Sequence, residues 1–397
     1  MEQRDQEILQ RARRLLQAGD LGEAELELAR LAASAPHEAR ILQGQLAFLR
    51  GQLTQAASHF EVSLGERPDD PLVLAYLAGV RLQQEHPGDA LQLADRALAL
   101  DSATAVAHYN RGRALKLLER PEEAISALEQ AVALDGENHG ARLELAATLH
   151  GVGRSKDALF AGAELIEKRP FDEPAYQLLC QIYIDLGQPE VAQQLLEKVL
   201  AVNPLLPGLQ LLLAEILLHT GRHEALQAKL PELWEVCWEH PTALGELGTL
   251  LAQLGLTDRA EAAWRRVLEL DPDDAGNLYR LGNLAEGKGE PEEAARLFTR
   301  ACAVAPAAWE PRNDLALLKM SSNDPAQVQQ AIALLREAAE LAPLEPAVAL
   351  NLAMAWLMLG GGDEATPLLR KVQKLTPEGH PHNATATRLL ARLEEAR

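Results

Sequence analysis

Cys237 and His240 are separated by two residues, a spacing that could supply half of a tetrahedral metal site. No second Cys or His pair at metal-ligand spacing accompanies them, so the segment reads as a loop. His219 and His223 are four apart, but Gly221 stands between them at a turn position, and the two rings do not share one helix face. His380 and His382 fall in a proline-containing linker. Gly360, Gly361 and Gly362 lack the following Lys and Ser/Thr that a phosphate-binding loop needs. The cysteines Cys180, Cys237 and Cys302 are far apart in sequence, and Cys180 and Cys302 read as reduced core residues. These residues point to no catalysis, no metal and no cofactor.

The elements that would position any site are set by a repeat. Alanine recurs at Ala24, Ala56, Ala90, Ala124, Ala158, Ala192, Ala260, Ala294, Ala331 and Ala365, with most gaps equal to 34 residues (90 − 56, 124 − 90, 294 − 260). Twelve residues before each alanine the side chain is small, at Ala12, Gly44, Ala78, Gly112, Ala146, Cys180, Gly248, Gly282 and, allowing for an insertion, Ala316 and Ala353, so two helices must approach closely there. Five residues before it a glycine is common, as at Gly51, Gly153, Gly187 and Gly255, where a left-handed residue would end the first helix. Twelve residues after it comes a proline or a substitute, as at Pro68, Pro170, Pro204 and Pro306, which stops the second helix. Apolar residues at helical spacing, such as Leu247, Leu250, Leu251 and Leu254, predict two helices per unit and no strands. The segments Pro121 to Ala124 and Pro291 to Ala294 place proline and then acidic residues in a first turn, where the helix dipole favours them.

With these positions, segments such as AVAHYNRGRALKLLERPEEAISALEQAVALD (Ala105 to Asp135) and NLYRLGNLAEGKGEPEEAARLFTRACAVAP (Asn277 to Pro306) resemble the tetratricopeptide repeat. About 11 units run from Met1 to Pro377, and a polar final helix follows from about Asn383 to Arg397. The resemblance implies an all-α fold, a right-handed superhelical solenoid of helix-turn-helix repeats over 1–377 with a C-terminal capping helix in 378–397, irregular near 222–241. Neighbouring units stack because one unit cannot bury its own apolar faces. The resemblance also implies a groove lined mainly by first helices.

The resemblance points to the residues three before and one after each small slot as the groove-facing ones. Most are apolar or small. The exceptions are Tyr109, Arg113 and Lys116, with Asn110 beside them, in the fourth unit, and Tyr279, Asn283 and Glu286, with Arg280 beside them, in the ninth. Gln177 and Gln181 repeat the four-residue spacing in the sixth unit, and Asn313 joins the candidates in the tenth. Residues four apart share a helix face, so Tyr109 with Arg113 could hold a peptide backbone or a carboxylate. The alternative is that tyrosine and asparagine at these slots serve solubility and helix packing. Repeats of this family that clamp a C-terminal carboxylate use lysine where this chain has Ile41, Ala75, Tyr109, Leu143 and Gln177, which argues against such a clamp. Leu211, Leu218, Leu350, Met354 and Leu357 offer an apolar floor or core packing.

The seventh unit breaks the pattern: Leu226 replaces the alanine, Pro231 falls inside the second helix, and Trp234 and Trp238 follow. A split or bend near Leu230 is expected. The two indoles either form an exposed patch for a partner or a second copy, or fill the gap the irregularity leaves. An insertion around Ser321 to Gln330 lengthens a turn in the tenth unit.

The 38 basic and 58 acidic residues give a net charge of −20, which argues against nucleic acid and suits a basic or neutral partner. Hydrophobic residues make up 47% and aromatics only 4%, as expected where alanine and leucine pack closely spaced helices. The opening MEQRDQEILQRARR has no signal-like apolar stretch and no segment reaches membrane-span length, so a cytoplasmic protein is expected, and the Ala, Leu and Arg bias suggests a bacterial source. Two functions fit these observations. One is a non-enzymatic scaffold holding a peptide or protein segment in its groove. The other is a substrate-recruiting or regulatory subunit of a separately encoded enzyme such as a glycosyltransferase, sulfotransferase or hydroxylase.

Overall fold

Proline at the first helical turn opens helix after helix in the chain, and a left-handed residue closes the first helix of each pair. In the computed structural model, which describes residues 3–31 and 36–395, the described residues form 23 α-helices and no strands. They are α1 Gln3–Ala18, α2 Leu21–Leu31, α3 Pro36–Leu49, α4 Leu53–Glu66, α5 Pro71–Gln83, α6 Pro87–Leu100, α7 Ala105–Leu117 and α8 Pro121–Leu134. Then come α9 His139–Gly151, α10 Ser155–Lys168, α11 Glu173–Asp185, α12 Pro189–Val202, α13 Pro207–His219, α14 His223–Cys237, α15 Pro241–Gln253 and α16 Thr257–Leu270. The last are α17 Ala275–Gly287, α18 Pro291–Val304, α19 Glu310–Met320, α20 Pro325–Leu341, α21 Pro346–Met358, α22 Gly362–Leu375 and α23 Pro381–Glu395. Odd-numbered helices are the first of each hairpin, and α23 stands after the last pair.

Local chemistry accounts for these boundaries. The Asp70 carboxylate accepts the backbone N–H groups of Leu72 and Val73 at 3.0 and 3.1 Å, satisfying two donors that α5 leaves free at its start. Asn138, Asp172 and Asp274 cap α9, α11 and α17 the same way. The turn glycines Gly51, Gly153, Gly187 and Gly255 have φ between 71° and 82°, the left-handed conformation that their position demands. Where the repeat lacks its glycine, Glu85 and Glu119 adopt φ of 64° and 58° instead, and Asn323 does so at 55° beside the inserted turn.

A glycine in the small slot of a first helix receives a large side chain from the second helix, 16 residues later. A Cβ built on Gly44 would lie 2.6 Å from Phe60, one on Gly112 2.6 Å from Leu128, and one on Gly282 2.5 Å from Phe298. Gly248 faces Trp264 in the same manner, 2.5 Å from its Cδ1 atom. Alanine slots take partners of either size: Leu28 follows Ala12 and Leu369 follows Ala353 at the same spacing, but Ala94 follows Ala78. Close packing thus holds each hairpin to its own complementary volumes.

The chain divides into two compact units, residues Met1–Leu209 and Gln210–Arg397, with the division inside α13. In the first unit, apolar clusters join each hairpin to the next, as where Leu28 and Leu31 meet Leu42 and Leu46. In the second, α23 closes the apolar face of α21 and α22: Ala386 is fully buried beside Leu369 and Val372. Asn383 fastens the entry to α23 by donating to the Thr376 carbonyl at 2.8 Å.

The seventh hairpin differs from the expectation at Pro231. α14 runs unbroken through the proline instead of splitting near Leu230. Leu226, Leu230, Leu233 and Cys237 form one buried stripe along it, and that shared burial holds the helix together across the missing N–H. Trp234 and Trp238 pack on each other with ring centroids 5.4 Å apart, and the Arg266 guanidinium covers Trp238 at 5.0 Å.

Candidate binding groove

The first helices of the first unit make a trough. α1, α3, α5 and α7 stand side by side and enclose a cavity of about 660 Å³, within the range of ligand sites. Its floor is apolar: Leu16 from α1, Ile41 and Phe48 from α3, Leu72 from α5 and Val106 from α7. Polar groups enter at defined points. Arg13 and Gln17 come from α1, Gln45 from α3, Tyr76 from α5, and Tyr109, Asn110 and Arg113 from α7. Among the described residues lining it there is no aspartate or glutamate.

Two of the lining residues are half-buried tyrosines, Tyr76 and Tyr109. Burial raises the Tyr76 phenol above the ordinary tyrosine range and the negative field of Asp70 adds to the rise, opposed by a hydrogen bond from Gln45 and the positive field of Arg13. Burial likewise raises Tyr109, and Arg113 opposes it while Glu144 reinforces it. The Arg113 guanidinium lies 5.6 Å from the centroid of the Tyr109 ring, a cation-π contact that holds the charge over the trough. Both phenols therefore stay neutral near pH 7, able to donate one hydrogen bond and accept others.

The residues singled out from sequence separate into distinct roles. Tyr109 and Arg113 line the cavity. Asn110 lines it as well, yet it is buried and donates to the Ala75 carbonyl at 2.8 Å, tying α7 to α5; Gly79 leaves the space that this amide occupies. Lys116 lies outside the cavity and pairs with Glu144 at 2.7 Å. Gln177 is exposed on α11, and Gln181 donates to Asp185 on its own helix at 2.7 Å, a carboxylate that also receives His150.

In the second unit, Tyr279 on α17 donates to Asp314 on α19 at 2.6 Å. Burial first, and then Asp314, pushes its phenol up to about 12, against a smaller opposing hydrogen bond from Asn283. Asn313 is buried and donates to the other Asp314 oxygen at 2.9 Å while accepting from Asn351 of α21 at 2.8 Å. These four side chains link three successive first helices. Arg280 reaches back to Asn277 at 3.3 Å, and Asn283 and Glu286 are exposed. On α13, Glu215 is exposed as a residue, yet partial burial of its carboxyl raises it above the usual range, with Glu246 adding to the rise and His219 opposing it. Cys180 and Cys237 are buried thiols pushed up to about 12, so neither is a ready thiolate.

Sequence reasoning did not single out Arg13, Gln45 and Tyr76. Arg13 and Gln45 were within reach, since they follow Ala12 and Gly44 as Arg113 follows Gly112. Tyr76 lies two before its small slot, the position of Asn110 one unit later, and it lines the trough as Asn110 does. Asp314 and Asn351, which complete the polar chain of the second unit, were also missed, because their partners lie in neighbouring hairpins.

Helical hairpins in tandem, each packing its apolar stripes against its neighbours, with four first helices of the first unit lining a trough, define a helical repeat protein. Tetratricopeptide repeat profiles match residues 9–71, 77–133, 179–225, 246–310 and 313–380, and a related one matches 112–182. The chain belongs to the tetratricopeptide repeat family and is a protein-interaction scaffold in that general sense. It is 33% identical over 186 residues to cellulose synthase 2 operon protein C of Komagataeibacter xylinus, covering 46% of this chain and 14% of that protein. It is 25% identical over 221 residues to the human protein O-mannosyl-transferase TMTC1, covering 55% of this chain and 20% of that protein. The chain thus spans a fifth or less of the length of these two relatives. The crystal structure of yeast Tom70 shares the fold at 13% identity and a TM-score of 0.52, over 98% of this chain and 96% of that one. No helix among the described residues is long and apolar enough to cross a membrane.

Proposed function

We propose that the chain is a non-catalytic scaffold that holds a segment of a partner protein in the trough formed by α1, α3, α5 and α7 and thereby helps assemble a complex. The observation that carries this reading is the apolar cavity itself, which no side chain of the first unit fills. Its polar groups are amides, phenols and guanidinium groups, which recognise a peptide by hydrogen bonds and charge rather than transform it. We read the Trp234–Trp238 pair as internal filling rather than as a contact for a second copy, because each ring is covered by the other and Trp238 also by Arg266.

The test is site-specific photocrosslinking in the native cell. A photoreactive residue at Ile41, on the trough floor, should yield protein adducts, whereas one at Gln92, exposed on α6, should not. Equal adducts from both positions, or none from Ile41, would refute the trough as the binding surface. A second reading, a substrate-recruiting or regulatory subunit of a separate enzyme, is favoured by the names of the relatives, which speak of cellulose synthesis and of mannosyl transfer. One enzyme as the dominant Ile41 adduct supports it, and several unrelated structural proteins support the assembly scaffold.

A further inference from the structure

The sign of the charge in the trough runs against the sign of the whole molecule. The chain carries 58 acidic and 38 basic residues, yet the cavity is lined by two arginines and, among the described residues, by no carboxylate. Elsewhere on the same helices most basic groups are paired: Arg11 with Glu27 at 3.5 Å, Arg40 with Glu66, Arg81 with Glu61 at 2.6 Å, Arg111 with Asp95 at 2.7 Å and Lys116 with Glu144 at 2.7 Å, whereas among the described residues the exposed Arg14 bonds only the Gln10 carbonyl of its own helix. Arg13 and Arg113 make no ion pair among the described residues, although acidic side chains outnumber basic ones. Arg113 is instead set over the Tyr109 ring, which fixes its position without satisfying its five donors.

From this we infer that the trough takes an acidic segment, an internal stretch of a partner protein with apolar side chains between two carboxylates, one held by Arg13 and the other by Arg113. The inference rests on the reading of the trough as the binding surface and adds the chemistry of its occupant. Arg13 is on α1 and Arg113 on α7, the outermost of four adjacent helices. Packed helices lie roughly 8–10 Å apart, so three such steps span about 25–30 Å. An extended chain advances about 3.3 Å per residue, which sets the two carboxylates about eight residues apart. The overall negative charge does not prevent this, because exposed charges beyond about 8–10 Å are largely screened at physiological salt while the two guanidinium groups act at contact. Tyr76, Tyr109 and Gln45 can then hydrogen-bond the backbone between the anchors, above the floor of Ile41 and Phe48.

A phage-displayed library of random 12-residue peptides, fused so that each peptide's C-terminus is blocked, is selected against the full chain and against the double variant Arg13→Glu, Arg113→Glu. Wild-type protein should enrich peptides with Asp or Glu at two positions about eight apart and apolar residues between. A synthetic copy of the leading peptide should bind each single variant, Arg13→Gln or Arg113→Gln, about tenfold more weakly. The double charge reversal should enrich Lys or Arg at those positions. Circular dichroism melting of every variant establishes that the fold is kept, and Ile41→Lys, which places a charge on the floor, tells trough binding from binding elsewhere. Peptides that lose binding with Ile41→Lys but show no acidic preference, or keep the same preference after charge reversal, would overturn the acidic assignment and leave the trough reading standing. Failure to enrich any peptide sensitive to Ile41→Lys would overturn both.

Discussion

Gly248→Ala sets two physical effects of opposite sign against each other. Gly248 lies in the interior of α15, where alanine is the better helix former by about 1 kcal/mol, so propensity alone makes the substitution stabilising. The added methyl carbon, however, would sit 2.5 Å from Trp264 Cδ1, well inside van der Waals contact. Trp264 is buried, and its indole N–H donates to the Gly245 carbonyl at 3.2 Å, so the ring cannot retreat without stretching that bond. Overpacking costs roughly 1–3 kcal/mol and a weakened buried hydrogen bond about 1 kcal/mol more. Subtracting the propensity gain leaves a net loss of about 2 kcal/mol. Because a repeat array does not unfold as one all-or-none unit, the reading should be local: hydrogen exchange resolved by mass spectrometry, with faster exchange in α15 and α16. Gly65→Ala near the end of α4, where nothing lies within 4 Å, is the control and should be neutral or slightly stabilising. If Gly248→Ala leaves α15 and α16 equally or better protected, or if Trp264→Leu in the same chain fails to relieve the loss, the small-slot argument is wrong.

Pro231→Ala should stabilise the seventh hairpin by about 1–3 kcal/mol, because α14 already runs through this exposed position and gains a backbone donor; unchanged urea unfolding and unchanged protease sensitivity near Leu230 would contradict this. Glu215 has a raised carboxyl, so the native state holds its proton more tightly than the unfolded chain, and stability falls as pH rises through that window. Glu215→Gln should therefore stabilise at pH 7 and lose its advantage below about pH 4, where the unfolded carboxyl is protonated too; an advantage independent of pH would exclude the electrostatic cause. Asp185 shows the opposite sign: its hydrogen bond from His150, and then the one from Gln181, hold its carboxyl low, so its contribution is present above the usual aspartate range and lost as pH falls through the lowered value. Removing it with Asp185→Asn should change melting at pH 7 and not at pH 2, and a loss that persists at pH 2 would point to packing. Lys116→Ala should shift stability by less than about 1 kcal/mol and leave binding of an acidic peptide intact, since Lys116 is committed to Glu144 outside the trough; weakened peptide binding would put Lys116 in the site.

Much of the fold was legible because one backbone requirement recurs at one spacing. Gly51, Gly153 and Gly255 marked turns that are left-handed in the structure, and Pro121 and Pro291 marked helix starts that the structure keeps. Glu85 and Glu119 were not legible as turn residues, because their conformation is imposed by the flanking helices against local preference. The site was legible in part. Tyr109 and Arg113 could be placed on one face from their spacing alone, but whether a polar side chain faces a ligand or its neighbour depends on what the next hairpin presents. Asn110 is taken by the Ala75 carbonyl, Asn313 by Asp314 and Asn351, and Lys116 by Glu144, all except Asp314 at 28 to 38 residues' distance in sequence. Those pairings are decided by packing between units, which periodicity within a unit does not reveal.

The complementary volumes across each hairpin also bear on how such a chain can change over generations. Gly44 with Phe60, Gly112 with Leu128, Gly248 with Trp264 and Ala78 with Ala94 are matched sets, each cut to a different size. Duplication or loss of a whole 34-residue unit keeps every set intact, whereas a crossover between the two helices of unlike units would join Ala78 to Trp264 or Gly248 to Ala94, giving a clash or a void. Lineages of this array should therefore gain and lose hairpins as wholes, with exchange points confined to the loops between them.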